Sequence, residues 1–173
     1  NYEYALANLD QYSAVVSATK RQTADVIKRF DPKCKMFTIP VGIVSDETFN
    51  AKPVLEKDRT FGKVIAVARI AHEKRLDDLV KAIAIVKQEI PEVTLDIYGY
   101  ADPSNDYGEK RKVIETIAKM GLDDSVKLKG YKSELAPVLD KAQIFGLTSR
   151  MEGFNLAIME AISHGVVGVT YDV

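Results

Sequence analysis

The chain has 173 residues, 46% of them hydrophobic and 28% charged, with 24 Lys and Arg against 25 Asp and Glu. A net charge of −1 and a pI near 6.2 lack the basic surplus that marks a nucleic-acid binder, and no apolar run approaches the ~18–20 residues of a membrane span. The single cysteine, Cys34, cannot form an internal disulfide, and the length suits one domain of about 100–200 residues with one real core.

The chain opens at Asn1 with no initiator Met. The first segment, Tyr2–Tyr12, reads as a helix. Next come Ala14–Ala18 (strand), Lys20–Phe30 (helix) and Lys35–Ile39 (strand). Pro40–Thr60 carries Pro40, Gly42 and Pro53 without a clear period and reads as a linker. From Lys63 onward short apolar runs alternate with helical periods. The runs Lys63–Ala68, Val93–Tyr98, Val126–Lys129, Gln143–Thr148 and Val166–Tyr171 are rich in Val and Ile. They are mostly continuous rather than alternating, which suits strands buried on both faces of a parallel sheet.

Between the runs, Leu76–Ile90 places Leu76, Leu79, Val80, Ile83, Val86 and Ile90 at helical spacing, with Asp77, Asp78, Lys81 and Lys87 expected outward. A second helix is expected over Gly108–Met120, with Val113, Ile114 and Ile117 inward and Gly121 as its stop. A third is expected over Ser133–Lys141, and a fourth from near Asn155 to near Gly165. This alternation predicts an α/β fold, a Rossmann-like parallel sheet with flanking helices. The chain stops at Val173, directly after the last strand-like run, so we expect a fragment of a longer protein.

In a parallel sheet all strand C-terminal ends lie on one edge, where ligands bind. The expected strand exits carry Arg69 through Arg75, then Gly99-Tyr100, then Gly130-Tyr131-Lys132, and last Ser149 through Leu156. Cations at one exit and a Gly-containing turn into a helix at another point to an anion site, because a helix N-terminus offers free N–H groups and partial positive charge. Arg69 and Lys74 would add full charges. No G-x-x-x-x-G-K-[ST], no G-x-G-x-x-G after a strand, no G-x-S-x-G and no Asp-x-Asp occurs. His72 and His164 have no partners at metal-ligand spacing, so no metal is expected.

Ser149–Gly165 resembles the E-x7-E signature of family 4 retaining glycosyltransferases, with Glu152 and Glu160 as its two acids. Arg69 through Leu76 resembles the phosphate segment of the same group 1 enzymes. Asp96–Tyr100, Lys129–Tyr131 and Thr38–Gly42 fall in the family's order too. Among members, the chain looks most like the poly(glycerol-phosphate) alpha-glucosyltransferases of teichoic acid synthesis.

The resemblance implies the C-terminal half of a GT-B fold. Residues 1–40 would be the tail of an N-terminal acceptor domain, 41–60 a linker, and 61–173 a nucleotide-sugar domain truncated at its C-terminal end. It implies that Arg69 and Lys74 bind the donor diphosphate, that Glu152 contacts hydroxyls of the transferred sugar, and that Glu160 accepts from the ribose. Backbone at Gly153, Phe154, Asn155 and Leu156 would cap the phosphate or sugar. Backbone around Gly99, Gly130 and Tyr131 would line the base end. The implied reaction is retaining transfer of a hexose, glucose from UDP-glucose, to an acceptor hydroxyl, without a metal or other cofactor. Its partners would be the nucleotide-sugar donor and a glycan, polymer or lipid-linked acceptor. The location would be the cytoplasm, at the inner face of the cell membrane, with peripheral membrane contact through parts outside this chain.

The sequence departs from the family pattern at Gly165, which precedes Val166-Val167-Gly168 instead of the usual x-Pro-Val. Two other readings stay open. One is a non-catalytic nucleotide-sugar binding module. The other is a flavodoxin-like or receiver-type domain, against which the basic and Gly-rich strand exits argue.

Overall fold

The computed structural model describes residues 7–42, 54–101 and 108–172. They fall into two compact units, one of residues up to 43 together with 153–155, the other of 44–152 and 156–173.

In the first unit, strands β1 (Ala14–Ser17) and β2 (Lys35–Thr38) pair in parallel, from Ala14 opposite Lys35 to Ser17 opposite Thr38. Helix α1 (Lys20–Phe30) makes the crossover. The Thr19 side chain caps it by accepting a hydrogen bond from the Gln22 N–H at 3.1 Å. Asp31 ends it in the left-handed conformation, with its N–H donating to the Ile27 carbonyl. The hydroxyls of Ser17, Thr23 and Thr38 link the crossover to both strands. Of the helix expected over Tyr2–Tyr12, residues 2–6 lie outside the described residues; Ala7 is helical and a 3-10 turn follows at Leu9–Gln11.

The second unit is a five-stranded parallel sheet of β3 (Lys63–Val67), β4 (Thr94–Tyr98), β5 (Val126–Gly130), β6 (Ile144–Leu147) and β7 (Val167–Thr170). The connecting helices are α2 (Leu76–Glu89), α3 (Glu109–Lys119), α4 (Ala136–Leu139) and α5 (Leu156–Ser163). Successive side chains of a strand point to opposite faces. Val64, Ala66, Leu95 and Ile97 therefore join α2 and α3 in one core. Ile65, Phe145 and Leu147 join α4 and α5 in the other. Ile65, Leu95, Ile97 and Phe145 are fully buried, each worth about 1.5–3 kcal/mol of transfer free energy. Burial on both faces is the physical cause of the continuous apolar runs.

The strand order is β5-β4-β3-β6-β7. The chain steps outward from β3 through β4 and β5, then returns to the other side of β3 for β6 and β7. The order reverses between β3 and β6, and such a switch point is where open α/β sheets take ligands.

Several expectations change; Val86, expected inward, is 39% exposed. The helix over Ser133–Lys141 shrinks to one turn, Ala136–Leu139, which starts beside Pro137, a residue with no N–H to donate to the Ser133 carbonyl. Asp77, expected outward, is buried: Lys81 on its own helix and Lys112 on α3 reach it at 2.9 and 3.2 Å. Ile114, expected inward, is 48% exposed, while Val113 and Ile117 are buried as expected. Strand β7, expected to be buried on both faces, is exposed along its length, since it is an edge strand paired with β6 alone. The expected linker holds a 3-10 turn at Glu56–Asp58, and its residues 43–53 lie outside the described residues.

Candidate functional site

Three strand exits are fastened together by backbone hydrogen bonds. The Ala68 N–H donates to the Tyr98 carbonyl at 3.0 Å, Ile70 to Tyr100 at 2.9 Å, and Gly99 to Gly130 at 2.9 Å. This stitching needs glycine at position 99. Its φ is +143°, and a Cβ there would sit 1.9 Å from the Ala68 carbonyl oxygen. Gly130 also takes a left-handed φ of +74° as the chain leaves β5. Just beyond these glycines, the rings of Tyr100 and Tyr131 meet edge to face with centroids 6.3 Å apart, both exposed.

A cleft of about 700 Å³ opens beside them, lined by Ile70, Gly99, Tyr100, Ile117, Lys129 and Gly130 among others. It touches the expected site only at the base end. Arg69, Lys74, Glu152 and Glu160 do not line it.

The charged centre lies at the switch point. After β3 the chain makes a 3-10 turn at His72–Lys74, and Arg75 adopts a left-handed φ of 47° before α2 begins. The turn presents Lys74, whose Nζ donates to Glu152 Oε1 at 2.7 Å. Both side chains are largely shielded, 14% and 16% exposed. The residues from the exits of β3 and β6 thus meet in one short, charge-assisted contact. An ammonium has three donors, and Glu152 takes one in this contact.

Arg69, by contrast, is 53% exposed and pairs with Glu73 at 3.0 Å. It stands outside the Lys74–Glu152 contact. Glu160 is half-buried on α5 and joins no ion pair among the described residues. Leu156 is the first residue of that helix, one later than expected. Gly153, Phe154 and Asn155 group with the first unit, where a Cβ on Gly153 would approach Gln22 Nε2 to 2.5 Å.

Two features escaped the sequence. Thr148, the residue after β6, is buried, and its hydroxyl reaches the carbonyls of Lys74 at 3.1 Å and Arg75 at 2.9 Å. The Arg150 N–H adds a 2.7 Å bond to the Glu73 carbonyl. A threonine ending a β-strand is ordinary in sequence, so no signal marked it. Next to it Ser149 is fully buried, and its hydroxyl has no hydrogen-bond partner among the described residues. The second feature is the pair of His72 Nδ1 with Glu109 of α3 at 3.1 Å, which joins residues 37 apart. Among the described residues no group of three or more His, Cys, Asp or Glu could hold a metal ion, and no helix is long and apolar enough to cross a membrane.

The family model "Glycosyl transferases group 1" matches residues 47–173. The UDP-N-acetylglucosamine--peptide N-acetylglucosaminyltransferase GtfA subunit of Streptococcus parasanguinis is 31% identical over 99% of this chain and 32% of its own length. The poly(glycerol-phosphate) alpha-glucosyltransferase of Bacillus subtilis is 40% identical over 64% of this chain and 16% of its own. The crystal structure of the pneumococcal O-GlcNAc transferase GtfA in complex with UDP and GlcNAc superposes with a TM-score of 0.85 at 31% identity, over 99% of this chain and 32% of that one. The chain spans about a third of the length of the two GtfA proteins it matches. With a parallel α/β sheet of the matching topology and a family match over most of its residues, the chain belongs to the group 1 glycosyl transferases, enzymes of the GT-B fold.

Proposed function

We propose that this chain is the donor-binding part of a retaining glycosyltransferase that moves a hexose from a UDP-sugar to an acceptor hydroxyl. The observation that carries the reading is the shielded Lys74–Glu152 pair across the switch point of the sheet. It joins a cation suited to a diphosphate and a carboxylate suited to sugar hydroxyls. In this reading Lys74 keeps one donor on Glu152 and turns the others to the diphosphate, and Arg69 leaves Glu73 to join it. An exposed ion pair such as Arg69–Glu73 is worth only about 0–1 kcal/mol, so exchanging it for a phosphate costs little.

Glu160 accepts from the ribose. Backbone at Gly153–Leu156 caps the phosphate or sugar, and backbone at Gly99, Gly130 and Tyr131 meets the base. In the reaction the bond from the anomeric carbon to the UDP oxygen breaks and a bond to the acceptor oxygen forms on the same face. The departing phosphate takes the acceptor proton. Lys74 and Arg69 stabilise the charge that develops on the leaving group, and no carboxylate nucleophile is required. No metal is invoked, because protein cations neutralise the diphosphate. The site of action in this reading is the cytoplasm, at the inner membrane face.

The sugar is glucose and the acceptor a teichoic acid or another cell-envelope polymer in the reading favoured by the Bacillus subtilis relative. A second reading, N-acetylglucosamine transferred to a protein, is supported by the GtfA relatives, which match over 99% of the chain. Calorimetry with UDP, GDP, ADP and the glucose and N-acetylglucosamine conjugates of UDP tests both, with and without EDTA. The expected outcome is selective binding of uridine nucleotides that survives chelation. Loss of binding on chelation, restored by Mn²⁺ or Mg²⁺, refutes the metal-free site, and equal binding of all three nucleotides refutes the base assignment. A turnover assay with the whole enzyme separates a transferase from a binding module.

A further inference from the structure

Thr148 lies behind the charged pair and does not belong to it. Its side chain is buried, and its one hydroxyl hydrogen is placed between two consecutive carbonyls, those of Lys74 and Arg75, at 3.1 and 2.9 Å. These are the last residue of the 3-10 turn and the left-handed residue after it, at the point where the backbone changes direction into α2. A left-handed conformation is unfavourable for a non-glycine residue, so surrounding contacts must hold Arg75 there. The same turn is held from the β6 side by the Arg150 N–H on the Glu73 carbonyl at 2.7 Å.

We infer that Thr148 is a positioning residue for the diphosphate site: by anchoring the carbonyls of Lys74 and Arg75 it fixes the turn that aims the Lys74 ammonium, and so sets affinity for the phosphates without touching them. The inference rests on the proposed role of Lys74 in binding the donor diphosphate. A hydroxyl is the required group. Valine has the same shape but cannot donate, so it takes the buried donor from the Lys74 carbonyl, while the Arg75 carbonyl keeps the Asp78 N–H at 3.0 Å. The turn then relaxes, and Lys74 is no longer pre-set for the ligand, which lowers affinity through the ordering that binding must now supply.

The test is a set of variants of the full chain, with UDP and uridine as probes in calorimetry. Thr148→Val should weaken UDP binding by about 5–10-fold, the size of one or two neutral hydrogen bonds, and leave uridine binding unchanged. Thr148→Ser, which restores the hydroxyl, should bind UDP as the wild type does. In a Lys74→Ala background Thr148→Val should have no further effect on UDP, since the residue it positions is gone. A merely structural role would lower uridine and UDP affinity alike and would persist in that background; either result overturns the inference. If Lys74→Ala itself leaves UDP binding intact, it is the diphosphate role of Lys74 that fails. If Lys74→Ala weakens binding but Thr148→Val does not, only the positioning role fails. Should Thr148→Val not fold, Thr148→Cys, whose thiol is a poor donor, takes its place with the same expectations.

Discussion

Arg59 is the residue whose removal should unsettle the second unit most. Its guanidinium is buried and donates to the carbonyls of Leu139 at 3.1 Å, Ala142 at 2.7 Å and His164 at 2.6 Å. It pins the segment before β3 to the ends of α4 and α5, and the end of a helix such as α5 carries negative dipole charge that suits a cation. Arg59→Met keeps most of the stem and removes all the donors. Leu139 would retain a partner, since its carbonyl also accepts the Ala142 N–H at 3.0 Å. The carbonyls of Ala142 and His164 would be left exposed to the penalty of an unmade buried hydrogen bond, about 1–3 kcal/mol each. Against this stands the relief from burying a guanidinium, which offsets part of the loss. The net destabilisation should be about 2–4 kcal/mol. For a chain of this size each kcal/mol lowers the midpoint by about 2–4 °C, so the melting temperature should fall by roughly 4–16 °C. Circular dichroism monitors the transition, with urea unfolding by tyrosine fluorescence as a second probe, the chain having no Trp. A loss below about 0.5 kcal/mol, the scale of an ordinary surface substitution, would show that the three carbonyls find other partners and that the clasp is incidental.

Glu160→Ala should weaken binding of the UDP-sugar by about 1–3 kcal/mol, the cost of an unmade charged hydrogen bond, while the melting temperature stays put; unaltered calorimetric affinity would remove Glu160 from the ribose site. Asp77→Asn should destabilise at neutral pH by about 1–3 kcal/mol. Burial raises the Asp77 carboxyl, but hydrogen bonds and charge from Lys81 and Lys112 outweigh it and hold the group below its ordinary value. A depressed carboxylate stabilises the fold above its unfolded pKa, near 3.9, and loses that contribution as pH falls through the folded value. The gap between the wild type and Asp77→Asn should therefore close in acid, and a gap that stays constant from pH 7 to pH 2 counts against the assignment.

The alternating pattern from Lys63 onward was legible because burial on both faces forces runs such as Lys63–Ala68, and the order of the elements then implied a parallel sheet. Local chemistry marked the glycines: only Gly99 can bring β4 that close to Ala68. The hidden features depend on partners distant in sequence. Asp77 looks like any acid in a first helical turn, and its burial is set by Lys112 on another helix, 35 positions away. Arg59 sat in a stretch without period, and its acceptors are backbone carbonyls, which carry no sequence label. Thr148 is hidden for the same reason. Of the site, Lys74 and Glu152 came together as their strand exits suggested. Arg69 did not join them; it pairs with Glu73, four residues on.

The two borders of the sheet are unlike in a way that bears on handling. Along β5 the outward lysines Lys127 and Lys129 stand exposed, and charge of that kind discourages another chain from adding a strand. Along β7 the outward residues are Val167 and Val169, 61% and 56% exposed, with Tyr171 just beyond and neither Lys nor Pro in the strand. A net charge of −1 provides almost no long-range repulsion to keep such borders apart. The chain in isolation is thus colloidally lopsided. Its self-association should proceed from the β7 side, grow with concentration, respond weakly to salt, and yield to a lysine placed at Val169.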